Sequence, residues 1–215
     1  MGNRYIGKLY TFCEWVMRIA YLNILWFFFT LVGLVILGIT PATAAMFSVT
    51  RKWITGESDI SIFKTFWQVY RVEFWRSQVF GLIFLITGLI LFVDYKFFTS
   101  PTGANYIWLK YMFVILVLVY LNLLFYTFSL FSHYKLSFKT YFKNGLLMSI
   151  FYPIHSFLMI AGCIFVILFV INFPGLSPFF SVSMLSLWIT VITHSVFAKV
   201  EQRKRLSDEK NLVSE

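Results

Sequence analysis

The side chains able to do chemistry in this chain are few and widely spaced. Three histidines, His133, His155 and His194, and two cysteines, Cys13 and Cys163, are the soft metal ligands available. Zinc and copper sites draw three or four such ligands together, usually with some at short spacing. Here no cysteine or carboxylate closely flanks any histidine, so a metal centre is not expected. The cysteines lie in unrelated contexts and read as small apolar side chains, not a disulfide framework. No HExxH, P-loop, EF-hand or nucleophile-elbow pattern occurs. The sequence therefore points away from an enzyme and calls for no cofactor.

The elements that carry these residues explain their scarcity. Of 215 residues, 60% are hydrophobic, 21% aromatic and only 13% charged. Soluble domains carry roughly 25% charged residues. Long apolar runs at that low charge describe an all-α, polytopic membrane bundle of about five transmembrane helices. The spans are expected at 19–39, 79–98, 107–131, 154–173 and 179–198, each near the ~20 residues that cross a hydrocarbon core. Residues 1–198 form one bundle and 199–215 a charged cytoplasmic tail, helical at first and then frayed.

Between the spans the pattern changes. Residues 3–18 read as a short amphipathic helix leading into the first span. Pro41 sits in a small-residue elbow, 40–45, that runs to Arg51 and Lys52. Proline lacks the N–H that would bond four residues back, so a kink or restart is expected there. In lipid the freed carbonyl must find a donor from protein or water. Ser58 or Asp59 is expected to cap an amphipathic cytoplasmic surface helix at 60–76. Its stripe is Phe63, Phe66, Trp67, Tyr70 and Phe74, with Lys64, Gln68, Arg71 and Arg76 mostly opposite. Such a helix lies flat on membrane lipids or docks a partner protein. Residues 132–145 read as a polar connector, and 100–105 and 172–178 as turns.

Intramembrane charge is the usual mark of transport chemistry. No Asp, Glu, Lys or Arg lies in the middle of any span, which argues against an ion-coupled pump or a voltage sensor. Asn23 and Asn122 are the polar residues most costly to leave unpaired in lipid, so interhelical hydrogen bonds are expected of both.

Eighteen Lys and Arg against nine Asp and Glu give a net charge of +9. No nucleic-acid motif accompanies it, and the charge follows topology. Thirteen cations fall in the connections 51–76 and 135–143 and in the tail; Arg4, Lys8, Arg18, Lys96 and Lys110 fall opposite. The positive-inside rule then places the C-terminus in the cytoplasm and, with five spans, the N-terminus outside. A cytoplasmic N-terminus with a re-entrant or sixth crossing at the elbow is the alternative. A faint internal echo pairs Phe63-Lys64-Thr65-Phe66 with Phe138-Lys139-Thr140-Tyr141, and Asn23 with Asn122.

Several of these stretches carry a resemblance. Asn23-Ile24-Leu25-Trp26, then Gly38-Ile39-Thr40-Pro41-Ala42-Thr43-Ala44-Ala45, Arg51-Lys52 and Phe63-Lys64-Thr65-Phe66 are similar to the YesL family of bacterial membrane proteins, common in Gram-positive organisms. Phe138-Lys139-Thr140-Tyr141 through Asn144, and Tyr152-Pro153, fit it too. The resemblance implies a small protein of the bacterial plasma membrane. It also implies gene neighbourhoods for polysaccharide uptake and breakdown, beside carbohydrate ABC importer subunits. The expected function is a non-catalytic accessory or scaffolding subunit that contacts the permease subunits of such an importer. Phe63, Lys64, Phe66, Trp67, Tyr70 and Arg71 of the surface helix, with Pro41 and Arg51 of the elbow, are the expected contact residues. A stand-alone facilitator for a neutral solute and a membrane regulatory protein are the alternatives. The family supplies no established catalytic or binding residues.

Overall fold

The computed structural model describes residues 2–100 and 107–213, and among them there is no strand. The chain forms α1 (Gly2–Val32), α2 (Ile36–Ile54), α3 (Ile62–Val72), α4 (Phe74–Thr99), α5 (Ile107–His133), α6 (Phe138–Phe151), α7 (Pro153–Asn172) and α8 (Ser177–Val213), with one 3-10 turn at Pro174–Leu176. Among the described residues five helical stretches are long and apolar enough to cross a membrane: Gly7–Val32, Phe74–Thr99, Ile107–His133, Pro153–Asn172 and Pro174–Arg203. The protein is an all-α polytopic bundle. Their outward faces, such as Leu82, Leu85, Leu89, Phe92 and Val93 of α4, are exposed apolar surface of the kind lipid covers.

The first span differs from expectation. Residues 3–18 are not a separate helix but the start of α1, which runs unbroken to Val32. The chain then breaks at Gly33-Leu34-Val35, six residues before Pro41 at the nearest. Leu34 and Val35 take left-handed backbone, with φ of 57° and 62°. That conformation is rare for a leucine and more so for a β-branched valine. It reverses the chain into α2, which continues through Pro41 without stopping.

α2 is the hub. It is not among the lipid-compatible spans, because its threonines, alanines, Arg51 and Lys52 lower its hydropathy. Eleven of its nineteen residues are buried, so protein and not lipid surrounds it. It packs against α1, α3, α4, α5 and α8. Leu22, Leu25 and Phe29 of α1, Ala42, Met46 and Val49 of α2, and Phe66 and Tyr70 of α3 form one core. Phe47 of α2 joins a second core with α5, α7 and α8. A third, around Phe80, Leu130, Tyr141 and Phe197, links α4, α5, α6 and α8.

Three further boundaries correct the sequence reading. The surface helix is shorter than 60–76: α3 ends at Val72, and Phe74 to Arg76 begin α4. Its N-cap is Ser61, not Ser58 or Asp59. The connector 132–145 contains a real helix, α6. The two echoed tetrapeptides each open a short helix behind a serine, Ser61 and Ser137, and each buries its fourth residue, Phe66 and Tyr141. The tail continues α8 as far as Val213. Of the turn expected at 100–105, residues 101–105 lie outside the described residues.

Candidate functional site

The signature residues of the first seventy positions converge on α2. Asn23 of α1 locks α1 to α8: its Nδ2 donates to the Pro178 carbonyl at 2.7 Å, and its Oδ1 accepts from the Val182 and Ser183 amides at 3.1 and 2.9 Å. One side-chain amide thus serves both backbone donors and acceptors in the first turns of α8, at no cost in unpaired groups. Three residues on, Trp26 donates its indole N–H to Thr43 Oγ1 at 3.1 Å and holds α1 to α2. Gly38 makes the hairpin tight: a Cβ there would lie 2.3 Å from the Thr30 carbonyl oxygen.

Pro41 is buried within α2. It leaves the Leu37 carbonyl without its helical partner. Gln78 Nε2 of α4 donates to that carbonyl. Beside it, Thr40 packs where a side chain on Gly81 would be, so α2 and α4 approach closely. Further along, Thr50 and Thr190 share a hydrogen bond between α2 and α8 at 3.1 Å, and Ser129 bonds Thr193 between α5 and α8. Asn122 departs from expectation. It is buried, but its Nδ2 bonds Leu118 of its own helix at 2.9 Å and its Oδ1 has no partner.

The expected contact set divides. Phe66 is 0% and Tyr70 6% exposed, both turned inward onto Phe29 with ring centroids 5.2 and 5.0 Å away. Tyr70 also donates to the Phe29 carbonyl at 3.1 Å, and burial raises its phenol pKa above the usual value. These two, with Pro41, are internal packing. Phe63 and Trp67 remain 46% and 43% exposed, and Lys64 and Arg71 are exposed as well. Arg76, expected as a surface cation, is a strut. It donates to the Leu136 carbonyl at 2.6 Å and to Tyr141 Oη at 3.3 Å, fixing the α5–α6 connection to α4.

Arg51 lines a cavity of about 350 Å³ between α2, α3 and the end of α5. Nearby, Tyr134 donates to Glu201 at 2.6 Å. Burial first, and then that bond, push its phenol up to about 12. The histidines do not gather: His133 and His194 rings are 6.1 Å apart, whereas His155 lies against Lys199 at 3.3 Å. Among the described residues no three His, Cys, Asp or Glu side chains come together.

This arrangement turns the sequence signature into a packing device. The chain is 40% identical over 197 residues to the uncharacterized protein YteU of Bacillus subtilis, covering 92% of this chain and 88% of that one. The chain belongs to the YesL-like family. YesL itself, from the same organism, is 36% identical over 196 residues, covering 90% of this chain and 91% of YesL. YesV, also from Bacillus subtilis, is 36% identical over 197 residues, 90% of this chain and 93% of YesV. The family described as "Protein of unknown function, DUF624" matches residues 19–95, the stretch from α1 through most of α4. No solved structure matches.

Sequence reasoning missed Gln78, Thr43 and the Gly33–Val35 break. Gln78 had a signal: Pro41 demands a donor, and few uncharged donors lie near the spans. The break had none, since leucine and valine do not announce left-handed backbone.

Proposed function

We propose that this YesL-like protein is a non-catalytic accessory subunit that packs beside the permease subunits of a carbohydrate ABC importer in the bacterial plasma membrane. One observation carries the reading. No Asp, Glu, Lys or Arg occurs at 19–50, 77–93, 111–134 or 144–198. Apart from Lys8, Glu14 and Arg18 in the first half of α1, where Glu14 and Arg18 pair with each other, the crossing helices carry charge only near their ends, so energised transport would draw its energy from a partner. The polar groups that do lie inside, Asn23, Thr50, Thr190, Ser129 and Thr193, bond one another or the backbone and hold the bundle together. The link to carbohydrate import rests on the family resemblance.

The partner surface is the outer side of α3. Phe63 and Trp67 offer exposed rings flanked by Lys64 and Arg71, whereas Phe66 and Tyr70 hold α3 in place from behind. Aromatic side chains with adjoining cations are typical anchors of protein contacts. The basic connections face the cytoplasm, with the C-terminus, by the positive-inside rule. Five crossings put the N-terminus outside; Arg18 donating to the Ser58 carbonyl and Trp15 lying beside Trp53 favour the alternative, a cytoplasmic N-terminus with α2 as a sixth crossing. Co-purification from a host grown on complex polysaccharide tests the assignment. Solute uptake by liposomes holding this protein alone would favour the facilitator reading instead.

A further inference from the structure

The cavity beside Arg51 has a composition that packing alone does not explain. α2 contributes Ser48, Arg51 and Lys52, α3 contributes Gln68, and the end of α5 with its connection contributes His133 and Lys135. Glu73 is the carboxylate in the lining, and it pairs with Arg76 at 3.7 Å. Lys52 pairs with Glu57 at 3.8 Å. Among the described residues Arg51 and Lys135 have no carboxylate within ion-pair distance. Arg51 Nε and His133 Nε2 are buried and make no hydrogen bond. The ends of α2 and α5 favour nearby cations, but a helix dipole supplies no acceptor to a buried Nε–H. An unmet donor on a charged group is among the costlier defects a fold carries. The remaining wall, Val69, Val72 and Phe131, is apolar.

A guanidinium and an ammonium facing a cavity with an apolar side match an anionic phosphate attached to hydrocarbon. We propose that this pocket binds a phosphate-bearing ligand, with Arg51 and Lys135 holding the phosphate oxygens. Arginine suits this because its planar donors fork onto two oxygens. The apolar wall favours the headgroup of an anionic phospholipid over a free phosphate compound. The proposal is independent of the importer partnership.

The test is native mass spectrometry of the detergent-purified full chain, titrated in one arm with phosphatidylglycerol and in the other with sn-glycerol 3-phosphate. Wild type should retain one tightly held phosphatidylglycerol. Lys135→Gln, at an exposed position, and Arg51→Lys, which keeps the charge but loses the fork, should each weaken retention about tenfold. Lys139→Gln removes equal charge outside the pocket and should change nothing. Binding of glycerol phosphate with the same dependence on Arg51 and Lys135 would keep the site and identify a soluble ligand. Retention of neither probe, or equal weakening by Lys139→Gln, would overturn the proposal.

Discussion

Gln78 of α4 donates its side-chain amide to the carbonyl of Leu37, the acceptor that Pro41 leaves open in α2. This bond lets a proline sit inside the central helix without breaking it. Gln78→Leu should therefore destabilise the protein by about 1–3 kcal/mol, the cost of a carbonyl left without a donor on a surface that lipid, not water, covers. Pro41→Ala restores the missing N–H, so the Gln78→Leu cost should shrink in that background. Thermal unfolding in detergent of the two single variants and the double variant measures the coupling. Additive effects would show that the bond does not serve the proline.

Asn23 and Asn122 look alike in sequence and differ in structure. Asn23→Ala removes bonds to the Pro178 carbonyl and to two α8 amides, and the loss should be read as a clear drop in melting temperature. Interhelical hydrogen bonds in membrane proteins average about 0.6 kcal/mol, so several together are measurable. Asn122→Ala severs only a bond within α5 and should cost less. A larger effect at Asn122 would contradict the assignment of Asn23 as the α1–α8 lock.

Gly38→Ala should loosen or misassemble the α1–α2 hairpin, because the added methyl meets the Thr30 backbone at 2.3 Å. Overpacking of this kind costs about 1–3 kcal/mol or more where backbone cannot yield. Gly7→Ala has open space around it and should be neutral. Paired expression and melting measurements of the two variants check the contrast.

Cys13 is exposed on α1 and Cys163 is partly buried in α7. Cys13 lies inside the first crossing stretch, so the probe is Asn3→Cys in a background with Cys13→Ser and Cys163→Ser: a membrane-impermeant maleimide added to intact cells should label it if the N-terminus is outside. Labelling only after inside-out vesicles are made would place the N-terminus with the basic connections and make α2 a sixth crossing.

Much of this fold is legible in composition. Apolar runs separated by basic connections specify the crossing helices, because lipid demands internal pairing of every backbone group. The stripe of α3 was legible as amphipathic, but not which surface would claim it. The same rings suit lipid, a partner or Phe29, and only the return of α1 beside α3 decides for Phe66 and Tyr70. The α2 helix was the hardest to read: a small-residue, proline-containing segment suggests an elbow when its neighbours are unknown. Its packing depends on Gln78, Thr190 and Trp26, which lie far away or carry no label of their purpose. The Arg51 pocket is assembled from three helices and has no linear motif at all.

The most direct test of the accessory-subunit account is quantitative co-purification in mild detergent from the native host grown on complex polysaccharide. Wild type is compared with a variant carrying Lys64→Gln and Arg71→Gln, since Phe63 and Trp67 also pack on Phe29 and their loss would disturb the fold. The account predicts that wild type recovers permease subunits of a carbohydrate importer in stoichiometric amount, and that the variant inserts and melts normally but loses them. Recovery of wild type alone, or equal recovery of the permease by both proteins, would contradict it.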